Sequence, residues 1–163
     1  MPKILISSCL LGQPVRYDGA AKQLQHPILQ QWFEQGLLVS MCPEIAGGLG
    51  VPRAAAEQQV DGRVITNTGA DVTAAFERGA RAALALAQAN QCRLAVLKAR
   101  SPSYGNNEVY DGSFSGRLMA GEGVTASLLR QAGIAVFNED QLQQAAAYFA
   151  GLASTKSPLL PFG

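Results

Sequence analysis

Three short apolar runs, Lys3–Ser8, Leu37–Met41 and Leu94–Ala99, each break into a loop of glycine, proline and polar residues. Stretches of helical spacing separate them. That alternation narrows the fold more than any other feature of the chain. Strand, crossover helix and strand in succession call for a parallel sheet with right-handed connections. In an open parallel sheet the carboxyl ends of the strands converge on one crevice, where ligands bind. Cys9 ends the first run and Cys42 the second, while the third leads into Arg100-Ser101-Pro102-Ser103-Tyr104-Gly105. Two thiols far apart in sequence can therefore meet at one place.

The remaining elements follow from spacing and punctuation. Pro2–Ser8 reads as the first strand. Ala20–Gln35 reads as a helix ended by Gly36, with Pro27 able to delay its start. Arg63–Asn67 suits a short extra strand. Asp71 is a credible N-cap for a helix carrying Val72, Ala75, Phe76, Gly79, Ala83 and Leu86 on one face. Cys92 precedes the next strand, and Asn106–Gly123 reads as a polar loop folded into a hairpin over the crevice. Thr125–Ala132 is a helix, Ile134–Phe137 a strand, and Glu139–Leu152 a last helix capped by Asn138. The expected fold is a single α/β domain, a Rossmann-like parallel sheet flanked by helices, with long site loops at the strand ends. It spans residues 1–152, and 153–163 reads as a loose tail.

Composition sets limits on function. With 13 basic and 12 acidic side chains the net charge is +1, so no global field points to nucleic acid or a membrane surface. No stretch approaches the ~20 apolar residues of a membrane span, and the amino terminus lacks a secretory pattern. Three cysteines without close spacing suit a reducing cytoplasm, where thiols serve as ligands or nucleophiles more often than as disulfides.

Each loop residue has an ordinary and a chemical reading. Glu44, two residues beyond Cys42, could serve as a general acid or base if burial tunes it, or could cap a helix. Ser101 and Ser103 flank Pro102, which stiffens the backbone around their hydroxyls; turn chemistry is the stronger reading for Ser103. Ser8, Arg16, Arg53 and Ser103 are candidates for holding a substrate or anion, as are Lys98, Arg100 and Arg117, and the basic ones could instead anchor loops through acidic partners. Gly121-Glu122-Gly123 before a helix is a weak anion signal. His26, the one histidine, precedes Pro27 and reads as a surface or capping residue.

The phrases SSCLLG, VRYDG, CPEIAGGLGVPR, VITNTGADVT, RSPSYG, YDGSFSG and GEGVTASLL occur in this order. Together they resemble the iron–sulfur thiouracil desulfidases, a family first known as a domain of unknown function. The resemblance covers about Lys3 to Asn138. It implies an α/β fold with a 4Fe–4S cluster held by three cysteines, leaving one iron open to the sulfur of a thiolated uracil. Carried over by motif, Cys9 and Cys42 are cluster ligands. Glu44 activates water or shuttles its proton, and Ser101 orients the base. The implied reaction is non-redox, with water adding at carbon and sulfide leaving.

One position departs from the family pattern, which has cysteine where this chain has Tyr104. Cys92 cannot replace it, because a strand of six to eight residues would put it on the order of 20 Å away, at the opposite sheet edge. Three outcomes stay open. Tyr104 binds iron as a phenolate, a cluster forms on two cysteines with an outside ligand, or the cluster is lost and the fold kept; the last two are favoured over the first. A free thiolated pyrimidine is the favoured substrate over thiolated tRNA, since the net charge is near zero and no separate RNA-binding module reads from the sequence. A cluster-free protein that binds a pyrimidine or anion is the alternative, since a tyrosine ring can stack on a base. Cysteine nucleophile catalysis ranks last, lacking a histidine partner.

Overall fold

A computed structural model describes residues 2–11, 26–42, 46–49, 54–99, 102–103, 105–106 and 108–155, apart from the side chains of Cys9 and 153–155. Four parallel strands form the main sheet: β1 (Ile4–Ser7), β2 (Leu38–Met41), β5 (Leu94–Leu97) and β8 (Ala135–Asn138), in the order β2-β1-β5-β8. The register pairs Ile4 with Leu38 on one side and with Leu94 on the other, and Leu94 in turn with Ala135. Every residue of β1 and β5 is buried. Burial on both faces explains why these two strands read as unbroken apolar runs instead of alternating ones.

The pleat divides those side chains between two helical layers. Ile4, Ile6, Leu94 and Val96 point to one face, where α1 (Pro27–Glu34) supplies Leu29 and Trp32 and α4 (Leu142–Thr155) supplies Leu142 and Ala145. Trp32 meets Phe149 edge to face at 6.0 Å, which ties these two helices together. Leu5, Ala95 and Leu97 point the other way, onto Ala83 and Ala87 of α2 (Thr73–Ala89) and Ala126 and Leu129 of α3 (Val124–Gln131). Alanines on α2 let that helix lie close against the sheet and α3.

Two antiparallel hairpins stand outside the sheet: β3 (Ala56–Gln58) with β4 (Val64–Thr66), and β6 (Glu108–Tyr110) with β7 (Leu118–Ala120). Glu57 joins them, its carboxylate accepting from the amides of Gly112 (3.0 Å) and Phe114 (3.1 Å). Phe114 has a positive φ of 56°, unusual for an aromatic residue, and this contact helps hold it there.

Several expectations shift in detail. Helix α1 begins at Pro27, at its first turn, with residues 20–25 outside the described residues. Asp71 does not occupy the N-cap. Val72 does, and the Asp71 carboxylate accepts from the Thr73 amide at 2.9 Å. Strand β3 lacks a strand pattern of its own and exists through its pairing with β4. Asn138 caps a 3-10 turn, Glu139–Gln141, from which α4 continues to Thr155, beyond the expected end at Leu152. No helix among the described residues is long and apolar enough to cross a membrane.

Candidate functional site at the carboxyl edge of the sheet

The two central strands are β1 and β5, and the helices that follow them, α1 and α3, lie on opposite faces. Chain connections diverge there, which opens the crevice in a sheet of this kind. Past Ser7, the chain turns at once into a 3-10 helix, Ser8–Leu11, pinned by Leu10, which is fully buried in the α1/α4 core. Cys9 lies in that turn, and the neighbouring Ser8 is buried. Ser7 pairs with Met41 across the β1–β2 ladder, so Cys42 stands one residue beyond that rung and Cys9 two. With strands about 4.8 Å apart, the two backbones lie on the order of 5–10 Å from each other.

The Cys42 loop is fastened to α2. The Cys42 carbonyl accepts from the Ala46 amide at 2.9 Å. Gly47 then approaches α2 so closely that a Cβ there would lie 2.0 Å from the Ala75 carbonyl oxygen. Its own carbonyl accepts from Arg78 through Nη2 at 2.9 Å and Nε at 3.3 Å. Cys42 is half-buried.

The third loop is gripped at both ends. Lys98 donates its amide to Ser7 Oγ at 3.0 Å, and the Ala99 amide donates to Glu139 Oε1 at 2.7 Å. Beyond them, the Pro102 carbonyl accepts from Val124, and that of Ser103 from Thr125 and Ala126. The first-turn amides of α3 are thus taken by this loop, and so Gly121–Gly123 does not offer them to an anion. Ser103 is fully buried, with its hydroxyl 2.7 Å from Thr125 Oγ1. Gln58 Nε2 donates to the Pro102 carbonyl at 3.2 Å and Gly123 to Gly105 at 2.6 Å. Asn106 donates to Gln141 Oε1 at 2.8 Å and accepts from Asn138 Nδ2 at 3.0 Å, closing the far end of the loop.

Among the basic residues, Lys98 pairs with Glu139 at 2.9 Å and Arg117 with Asp111 at 3.8 Å. These two act as loop anchors. Asp111 is held below the usual carboxylate range, first by the Ser113 hydroxyl and amide. His26 caps α1, Nδ1 accepting from the Ile28 amide at 3.1 Å. It also borders a shallow cleft of about 320 Å³, shared with Glu139, Asp140 and Gln144. Cys92 sits before the amino end of β5, 4% exposed, and burial pushes its thiol up to about 11. It lies at the wrong edge and in the wrong protonation state to serve the crevice.

Arg16, Glu44, Arg53, Arg100, Ser101 and Tyr104 lie outside the described residues, as does the Cys9 side chain. Among the described residues no three His, Cys, Asp or Glu side chains gather as a metal site. The structure adds residues that sequence reasoning missed: Ser7, Glu139, Gly47, Arg78 and Gln58. Two adjacent serines at a strand end were the available signal for Ser7. The others act through contacts across 31 to 44 residues, which no local pattern announces.

Three relationships to known proteins agree with this geometry. The family model described as 2-thiouracil desulfurase matches residues 4–141. The protein YbbK of Bacillus subtilis (strain 168), described as uncharacterized, is 37% identical over 148 residues, covering 85% of this chain and 97% of that protein. The solved structure of TudS, a 4Fe–4S-dependent thiouracil desulfidase, superposes with a TM-score of 0.89 at 49% identity, covering 92% of this chain and 99% of that one. A sheet whose cysteine-bearing strand ends adjoin at the crevice, in a chain matched along most of its length, belongs to the 2-thiouracil desulfurase family.

Proposed function

We propose that this protein removes sulfur from a free thiolated uracil by hydrolysis, exchanging C=S for C=O and releasing hydrogen sulfide. The observation that carries the reading is the placement of Cys9 and Cys42 just past a shared rung of the β1–β2 ladder, beside the switch point of the sheet. Family membership and the likeness to TudS support it.

The donor chemistry fits a 4Fe–4S cluster at two positions. Thiolates suit iron–sulfur clusters, and Cys9 and Cys42 supply two from neighbouring loops. When bound, the cluster supplies an open iron with affinity for the substrate's sulfur. By motif Tyr104 falls at the third donor position, with an oxygen in place of sulfur, so an outside ligand would have to complete the set. The chain's own part is binding and proton movement. Glu44 takes a proton from water as it adds at the thiocarbonyl carbon, and returns one to the departing sulfide. Ser101 donates a hydrogen bond to the pyrimidine and fixes its orientation, while the clamped loops exclude competing geometries. On this reading the protein is a hydrolase acting in the reducing cytoplasm, where its cysteines stay reduced.

The test is anaerobic reconstitution followed by iron and sulfide analysis and an assay of 2-thiouracil for uracil and sulfide. Bound iron with product formation is expected. Glu44→Gln should lower turnover by about 10²–10⁴-fold with iron content retained; wild-type turnover in that variant would remove Glu44 from the mechanism. Tyr104 favours a second reading, a cluster-free pyrimidine-binding protein. Tyr104→Cys separates the two: a rise in iron and activity supports the desulfidase, whereas no change in either supports the binding protein.

A further inference from the structure

His26 is the one histidine of the chain, and it occupies the N-cap of α1. Its backbone is extended, with φ −153° and ψ 137°, and Nδ1 accepts from the Ile28 amide at 3.1 Å. Helix caps are commonly Ser, Thr, Asp or Asn, whose oxygens accept at any physiological pH. An imidazole accepts through one ring nitrogen only, and only while neutral, because protonation puts a hydrogen on both. The cap bond is therefore incompatible with the charged ring. Pro27 has no amide, so Ile28 carries the first N–H of the helix and is left without this acceptor. A positive ring is also disfavoured at a helix N-terminus. Across the cleft that His26 borders, the charged groups among the described residues are Glu139 and Asp140. Glu139 is engaged by Lys98 and the Ala99 amide, whereas Asp140 is exposed. Both carboxylates favour the charged ring and draw it away from the helix end. The first turn of α1 also has a structural duty. Leu29 is buried in the same core cluster as Leu10, and Ile28 and Leu11 pack on that cluster. Leu10 and Leu11 belong to the 3-10 turn that carries Cys9.

We propose that His26 is a proton-operated cap: the neutral ring closes the first turn of α1, and protonation releases that turn and with it the apolar support of the Cys9-bearing turn. The device stands on the cap bond and the shared core cluster, and is independent of the desulfidase reading.

The test follows the full chain by NMR from about pH 8 down to about pH 5, the range in which histidine titrates. With a single histidine there is a single ring titration curve, so the protonation event is read directly. Amide protection of Ile28, Leu10 and Leu11, corrected for the intrinsic exchange rate at each pH, is measured on the same samples. Two variants are compared: His26→Asn, whose side-chain oxygen caps at every pH, and His26→Ala, which has no cap. In the parent, protection of Ile28 should fall about fivefold in step with the ring titration, the ratio a side-chain cap typically supports, and Leu10 and Leu11 should follow by a smaller factor. His26→Asn should stay level throughout, and His26→Ala low throughout. Parent protection at Ile28 that stays constant while the ring titrates would overturn the cap switch. A matching fall in His26→Asn would overturn it as well, because a group other than the imidazole would then be responsible. Constant protection of Leu10 and Leu11 while that of Ile28 falls would overturn the link to the Cys9 turn.

Discussion

Gly47 offers the sharpest quantitative test of how the Cys42 loop is held. A methyl group built there meets only helix backbone: the Ala75 carbonyl oxygen at 2.0 Å, its carbon at 2.9 Å and the Gly79 amide nitrogen at 3.2 Å. Real Cβ contacts essentially never fall under 3.0 Å, so Gly47→Ala requires the loop and α2 to part by at least 1.0 Å, the difference between 3.0 and 2.0. No flexible side chain is available to yield. Such overpacking costs about 1–3 kcal/mol, and a chain of this size loses roughly 2–4 °C of Tm per kcal/mol. A mid-range cost of about 2 kcal/mol gives a fall of about 4–8 °C. If the loop lifts away instead, the two Arg78 contacts lengthen and Cys42 moves with them. Thermal unfolding followed by circular dichroism, alongside thiol accessibility of Cys42, reads both consequences. A Gly47→Ala protein melting within about 1 °C of the parent, with Cys42 accessibility unchanged, would refute the close packing.

Other outcomes follow from single contacts. Gly151 is exposed in α4 and a Cβ there meets nothing within 4 Å, so Gly151→Ala should stabilise by about 0.5–1 kcal/mol, seen as a higher urea midpoint with unchanged slope. Thr125→Val removes the 2.7 Å hydrogen bond between the buried Ser103 and Thr125 hydroxyls and should cost about 0.5–1.5 kcal/mol. Adding Ser103→Ala to it should cost less than the sum of the singles in a double-mutant cycle. Burial raises the Cys92 thiol from 9.0 to about 11. The folded state therefore holds this proton more tightly, and its share of stability is complete below pH 9 and falls away as pH rises towards 11. Cys92→Ala should flatten the pH dependence of denaturant stability in that window, and an identical slope would contradict the assignment.

The parts of this fold that sequence reveals are those where burial and local pattern agree. β1 and β5 are covered on both faces, and Ile4–Ile6 and Leu94–Leu97 show it as continuous apolar runs. Pro27 marks a helix start because its ring suits the first turn and nothing beyond it. β3 gave no such signal, because Ala-Glu-Gln acquires strand geometry only from Val64–Thr66 opposite. The site divides in the same way. Cys9 and Cys42 were legible as strand-end residues, since a strand end can be read from where an apolar run stops. Glu139 was not, because acidic residues after an Asn cap are ordinary helix starts, and its role comes from an amide 40 residues away. Gly47 looked like loop punctuation until α2 was found against it.

The order of the sheet also has a bearing on how the protein is made. β1 finds its neighbour β2 early in synthesis, but its other neighbour, β5, is nearly a hundred residues downstream, and Ser7 and Lys98 are separated by 91 positions. While the chain emerges, both cysteines of the crevice are already present beside a bare parallel edge, the kind of surface that invites mispairing. β5 arrives only past the midpoint of the sequence, and the grip of α3 and the Glu139 contact only with its last quarter. The reactive end of this molecule is consequently the last part to be assembled, and any group it accommodates must be fitted to a finished chain.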